Sequence, residues 1–179
     1  SDTDEIDQWV KWGSQRGYKE IVLIGNSAGS VNISAYLAIG VHPAVKITVL
    51  ISLTYYGPGR PAAFETEDHA EQARKMLRDG DYGLAKFALA FCKEYVTTAE
   101  GFLSYYDWSA EKILDAINVV WPDNHIIIGS EDERIGQAWV ASLEKASGKI
   151  IVIDGASHFF DQTHEFDLSD AVEEIIADD

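Results

Sequence analysis

The chain has 179 residues, 46% apolar and 25% charged, which is the make-up of one ordinary globular domain with a substantial core. Its formal charge of −16 argues against nucleic acid and membrane as partners, because a field of that sign repels phosphate backbones and anionic lipid, and it reads as a solubility or high-salt feature. The lone cysteine, Cys92, excludes an intrachain disulfide, suits a cytoplasmic compartment and, within AKFALAFCKEYV, reads as a buried small hydrophobe.

Residues 3 to 16 carry a helical pattern, with Ile6, Trp9, Val10 and Gly13 on one face, acidic residues in the first turn and Gly17 at the exit. EIVLIG, residues 20–25, is apolar without alternation and stops at a glycine, the pattern of a strand buried on both faces. Ala28 to Ile39 reads as a small-residue helix closed by Gly40, and AVKITVLISL as a second strand rich in β-branched residues. Residues 62–118 then hold no convincing strand and read as helices over Thr66–Arg78, Tyr82–Tyr95, Thr98–Tyr106 and Ser109–Asn118. HIIIG beyond Pro122 is a third buried strand. The helix IGQAWVASLEKASG, a fourth strand KIIVID and a last helix from about Leu168 to Ala177 follow. No apolar run approaches membrane-spanning length, and SDTDEIDQW has no leader character.

Strands alternating with helices predict an α/β fold, a parallel sheet flanked by helices. The block 58–118 reads as a helical cap inserted between the second and third strands, leaving 1–57 and 119–179 as the core. Open α/β sheets bind ligands at the carboxyl edge of their strands. That architecture sends Ser27, the loop after Gly129 and the loop after Asp154 to one end.

Gly25-Asn26-Ser27-Ala28-Gly29 stands where a buried strand hands over to a small-residue helix. A serine held there on a strained turn is a nucleophile elbow, with the flanking glycines relieving clashes between strand and helix. A serine nucleophile needs a base, and the base an orienting acid. His158, one short loop past the fourth strand, is the best placed of the five histidines, with His164 its rival. His42 and His125 stand at the wrong edge, and His69 reads as solvated among the inserted helices. The acid should come from IIIGSEDERIG: Asp132 is favoured for its distance past the strand end, Glu131 is the alternative, and Asp154 reads as a loop cap.

These stretches, IGNSAGS, IIIGSEDERIG and VIDGASHFF, resemble the α/β-hydrolase family in motif, in the order Ser, acid, His and in strand context, over nearly the whole chain. The resemblance implies Ser27 as nucleophile, His158 as general base, Asp132 as orienting acid and the Ala28 N–H as an oxyanion donor. Asn26 beside the nucleophile, and Tyr55 and Tyr56 after the second strand, are candidates to contact substrate. Phe64, Phe102, Tyr105, Tyr106 and Trp108 read mostly as packing between cap helices. The histidines are scattered and GNSAGS lacks the lysine of a P-loop, so no metal and no cofactor is expected.

The family places several strands and a loop with a second oxyanion donor before the elbow, whereas 26 residues precede Ser27 here. EIVLIG is therefore expected to be a bare edge. The chain is expected to be a fragment of a larger protein whose missing N-terminal segment completes the sheet, or to pair with another copy as a homo-oligomer. The reading that results is a serine hydrolase acting on a small-molecule carboxylic ester through an acyl-enzyme. The alternative is a non-catalytic module of the same fold, used for binding or assembly.

Overall fold

The computed structural model describes residues 2–60, 67–119, 121–146, 149–161 and 163–177. In chain order the elements begin α1 (Asp2–Gln15), β1 (Ile21–Asn26), α2 (Ala28–Ile39), β2 (Val45–Ile51) and α3 (Glu67–Arg78). Next come β3 (Leu84–Leu89), β4 (Cys92–Thr98), α4 (Ala99–Tyr106) and α5 (Ala110–Ile117). The chain closes with β5 (Asp123–Gly129), α6 (Gln137–Leu143), β6 (Lys149–Ile153) and α7 (His164–Ala177). The contacts divide it into two compact units, Ser1–Thr54 with Ile113–Asp179, and Tyr55–Lys112. No helix among the described residues is long and apolar enough to cross a membrane.

The first unit is built on a parallel sheet of order β1-β2-β5-β6. β2 and β5 are central, and their uninterrupted Val and Ile runs follow from burial on both faces. On one face Val49, Ile51, Ile127 and Ile153 pack with Phe160 and with Ala171 and Ile175 of α7. On the other, Val10 of α1, Tyr36 of α2 and Val45 form a second cluster. A buried polar pair on these strands satisfies itself: the Thr48 hydroxyl donates to Asn124 Oδ1 at 2.6 Å, and Asn124 Nδ2 donates to the Ile117 carbonyl at 3.1 Å. β1 forms one edge, and its Ile24 is 49% exposed. A groove lined by Ile6, Trp9, Leu23, Ile24 and Ile33 runs beside it, with a volume of about 360 Å³. Trp9, expected on the inward face of α1, stands at this groove and is exposed, whereas Val10 and Gly13 point into the core. The last helix starts at His164, a turn earlier than the sequence predicts.

The second unit corrects the sequence reading of Tyr82–Tyr95 as a helix. β3 and β4 pair there as an antiparallel hairpin, with Leu84 opposite Thr98 and Phe87 opposite Tyr95. Packing decides it: Phe87 is fully buried and stacks on Phe102 of α4, ring centroids 4.6 Å apart. Lys86 and Glu94 pair across the strands at 2.9 Å. Cys92 lies on the hairpin's outer side and is exposed, not buried. His69 is half-buried, its ring edge-on to Phe87, rather than solvated. Thr98 caps α4 by accepting from the Gly101 N–H at 3.1 Å. Phe64 and Thr66 lie outside the described residues.

Tyr55 and Tyr56 open this unit, both buried. Tyr55 donates its hydroxyl to the Gly59 carbonyl at 2.8 Å, and Tyr56 meets Tyr105 edge to face at 5.6 Å. Burial pushes both phenols above their ordinary value of 10.0, against a smaller opposing pull from Arg60. A raised folded-state value means this stability is complete below the unfolded value and is lost as pH rises through the folded one. The thermal midpoint is therefore expected to fall as pH rises above about 10, together with delayed phenolate absorbance. Ordinary phenol titration with an unchanged midpoint would contradict it.

Candidate active site

β1 ends at Gly25-Asn26, Ser27 makes the turn, and α2 begins at Ala28. Ser27 takes φ 54° and ψ −111°, a conformation that costs a non-glycine residue on the order of 1–3 kcal/mol. Its main chain is held from both sides. The N–H donates to the Ile51 carbonyl at 2.9 Å, and its carbonyl accepts from the N–H groups of Ser30 and Val31 at 3.1 and 3.3 Å. Ser30, fully buried, has its hydroxyl 2.7 Å from the carbonyls of both Gly25 and Ile51, which share its single proton, and so ties the ends of β1 and β2 together. The strand and helix approach so closely that a Cβ on Gly25 would stand 2.6 Å from the Gly29 carbonyl carbon. A Cβ on Gly29 would meet nothing within 4 Å, so only the first glycine of the pair answers to the clash expected of both.

A serine in this N-cap position ordinarily turns its hydroxyl onto the helix. Ser27 makes no such cap, and its Oγ lies 2.9 Å from His158 Nε2. On the other side of the ring, Nδ1 lies 2.7 Å from Asp132 Oδ2. A carboxylate only accepts, so the proton sits on Nδ1, Nε2 is the acceptor, and the Ser27 hydroxyl is the donor. Asp132 is fully buried at its side chain, and its other oxygen accepts from the Arg134 N–H at 2.9 Å. Glu131 is exposed and contributes its main chain instead, donating to the Ala156 carbonyl at 3.0 Å. Between the two carboxylates left open by the sequence, Asp132 is the one at His158.

The acid loop and the base loop are laced to each other. Ser130 N–H donates to the Ile153 carbonyl at 3.0 Å, its hydroxyl donates to Asp154 Oδ1 at 3.1 Å and accepts from the Gly155 N–H at 2.7 Å. Asp154 is thus a loop partner, as its position suggested. Arg134 lies over the Phe159 ring at 4.6 Å, and Phe159 meets His158 edge to face at 5.1 Å. Phe160 then turns the chain with φ 49° and drops into the core.

Asn26 is exposed beside Ser27, and Ala28 is the first residue of α2, where helix geometry leaves the N–H without an intrahelical acceptor. Tyr55 and Tyr56 belong to the other unit. Of the remaining histidines, His125 is buried at the amino end of β5 against Asp123 at 3.0 Å, and His42 Nδ1 accepts from the Ala44 N–H at 3.1 Å. His164 opens α7 near Gly155. A cavity of about 380 Å³ borders Glu131, Asp132, Glu133 and Glu144 but neither Ser27 nor His158, so it lies behind the acid loop. Sequence reasoning missed Ser30 and Arg134. A hydroxyl one turn into the helix was the only available signal, and only for Ser30.

No protein-family model matches the sequence, and no curated protein is significantly similar to it. Solved structures do share its architecture. A monoacylglycerol lipase from Paleococcus ferrophilus superposes with a TM-score of 0.67 at 13% identity, over 99% of this chain and 76% of the lipase. Est1E from Butyrivibrio proteoclasticus, with ferulic acid bound, gives 0.64 at 16% identity over 98% of this chain and 66% of Est1E. An α/β hydrolase from Penicillium sp. sh18 gives 0.63 at 13% identity over 98% of this chain and 69% of the hydrolase. At such identities the likeness is one of fold.

Proposed function

We propose that this chain, which has the α/β-hydrolase fold, carries the catalytic centre of a serine hydrolase that cleaves a carboxylic ester through an acyl-enzyme. The relay Ser27 Oγ, His158 Nε2, His158 Nδ1, Asp132 Oδ2, with steps of 2.9 and 2.7 Å, carries the proposal. Three chemically matched groups drawn from three distant segments are what nucleophilic catalysis requires, and a binding module has no use for them. The lipase activity named for the Paleococcus ferrophilus neighbour supports an ester as the substrate class.

In this mechanism Ser27 Oγ attacks the acyl carbon while His158 Nε2 takes its proton. The carbonyl π electrons move onto oxygen, where the Ala28 N–H at the start of α2 donates to the oxyanion. Collapse expels the alcohol, which leaves with the proton from His158. Water then repeats the sequence on the acyl-enzyme, releasing the acid and restoring Ser27. Asp132 keeps the proton on Nδ1 throughout and stabilises the imidazolium as it forms. A fluorophosphonate should give a stoichiometric adduct that maps to the peptide holding Ser27. A folded sample that takes no adduct would overturn the assignment and leave a hydrolase-fold module of another purpose.

A further inference from the structure

Nucleophile and base, 131 residues apart in sequence, hang from two adjacent residues at the carboxyl end of β2. The Ile51 carbonyl accepts from the Ser27 N–H at 2.9 Å and from the Ser30 hydroxyl at 2.7 Å. One residue on, the Ser52 N–H donates to the Ile127 carbonyl at 2.8 Å, and its hydroxyl donates to the His158 carbonyl at 3.0 Å. Ser52 is fully buried and has φ 47°, a left-handed conformation that glycine adopts without steric cost. What serine adds at this position is the hydroxyl. Among the described residues, the non-glycine positions with positive φ are Ser27, Ser52, Phe160 and Ala90, and the first three surround the dyad. Strained residues of this kind persist where neighbouring structure over-determines them.

We infer that Ser52 is a positioning residue for the reaction proposed above, an inference that rests on that reading. It fastens the main chain of His158 to the strand end that fastens Ser27, and so sets the separation across which the proton moves. Asp132 orients the ring and its tautomer from the other side, through a different loop. Loss of the Ser52 hydroxyl therefore leaves the His158–Asp132 pair together but frees both to drift from Ser27. A displacement of about 1 Å at a reacting centre costs up to about 10²-fold in rate.

Two variants separate positioning from folding. Ser52→Ala keeps the strained backbone and removes the hydroxyl, whereas Ser52→Gly relieves the strain and removes the hydroxyl too. In both, kcat on a short-chain p-nitrophenyl ester and the rate of fluorophosphonate labelling are expected to fall about 10-fold or more, with KM changed less than about twofold. Ser52→Gly should nevertheless unfold at the higher temperature of the two. Wild-type rates in both variants would overturn the inference, and so would a loss seen in Ser52→Ala but absent from Ser52→Gly. If the unmodified chain neither labels nor hydrolyses, the serine-hydrolase reading fails, and proton NMR decides the positioning role alone. The His158 Cδ2–H resonance, beside the Nε2 that lies 2.9 Å from Ser27 Oγ, should then shift or broaden in both variants, and an unchanged resonance would sink it.

Discussion

Exchange of Ser27 for alanine is expected to lower kcat by about 10⁶-fold and to leave the free energy of unfolding within about 1 kcal/mol of the parent. The two halves of this expectation come from different atoms. Everything that holds the elbow is main chain or Ser30: the Ser27 N–H on Ile51, and the Ser30 hydroxyl on Gly25 and Ile51. Alanine keeps all of these and bears the same backbone strain. Only the oxygen 2.9 Å from His158 is lost, and with it the proposed nucleophile. Asp132→Asn should follow at about 10⁴-fold, because an amide of the same shape admits the wrong imidazole tautomer. Glu131→Gln should stay within about twofold, since Glu131 is exposed. A loss of about 10⁴-fold in Glu131→Gln with Asp132→Asn near the parent, measured as kcat on one ester, would move the acid to Glu131.

How far the sequence could be read depended on whether a segment's partners were local. β2 and β5 announce themselves because a strand buried on both faces has no reason to alternate, and their Val and Ile runs admit no other economical reading. The hairpin β3–β4 did not. Its first strand, LAKFAL, is made of helix-favouring residues, and its turn uses Ala90 at φ 57° in place of glycine or asparagine. What makes it a strand is Phe87 stacking on Phe102, a contact that no local window contains. The β-branched run Val96-Thr97-Thr98 was the one legible hint.

The site shows the same division. Ser27, Asp132 and His158 were legible because each follows a strand end, and topology brings such ends to one edge. The choice of Asp132 over Glu131 rested on spacing alone, and the deciding fact is burial. Ser52 was not legible at all. Its partner lies 106 residues away, and a serine following a strand carries no pattern that distinguishes it from any other.

Gly129→Ala is the change expected to damage stability most, by about 4 kcal/mol or more, a loss of about 10 °C in the thermal midpoint. The added Cβ would stand 2.2 Å from the Ala156 carbonyl oxygen, 2.7 Å from its carbon and 2.8 Å from the Ser157 oxygen. All three are main chain, so no side-chain rotation relieves the overlap. The Ala156 oxygen is also the acceptor for the Glu131 N–H, so pushing it away unties the acid loop from the base loop. Either β6 separates from β5, or residues 155–160 move outward and take His158 from Asp132. Stability and kcat should therefore fall together, unlike Ser27→Ala, which touches only rate. Gly29→Ala is the matched control, because its Cβ meets nothing within 4 Å. Helix propensity alone predicts that variant to be unchanged or more stable by up to about 1 kcal/mol. A Gly129→Ala protein that unfolds at the parent's midpoint would mean that the two loops are not locked together, and the triad geometry would then have to be held by the strand ends alone.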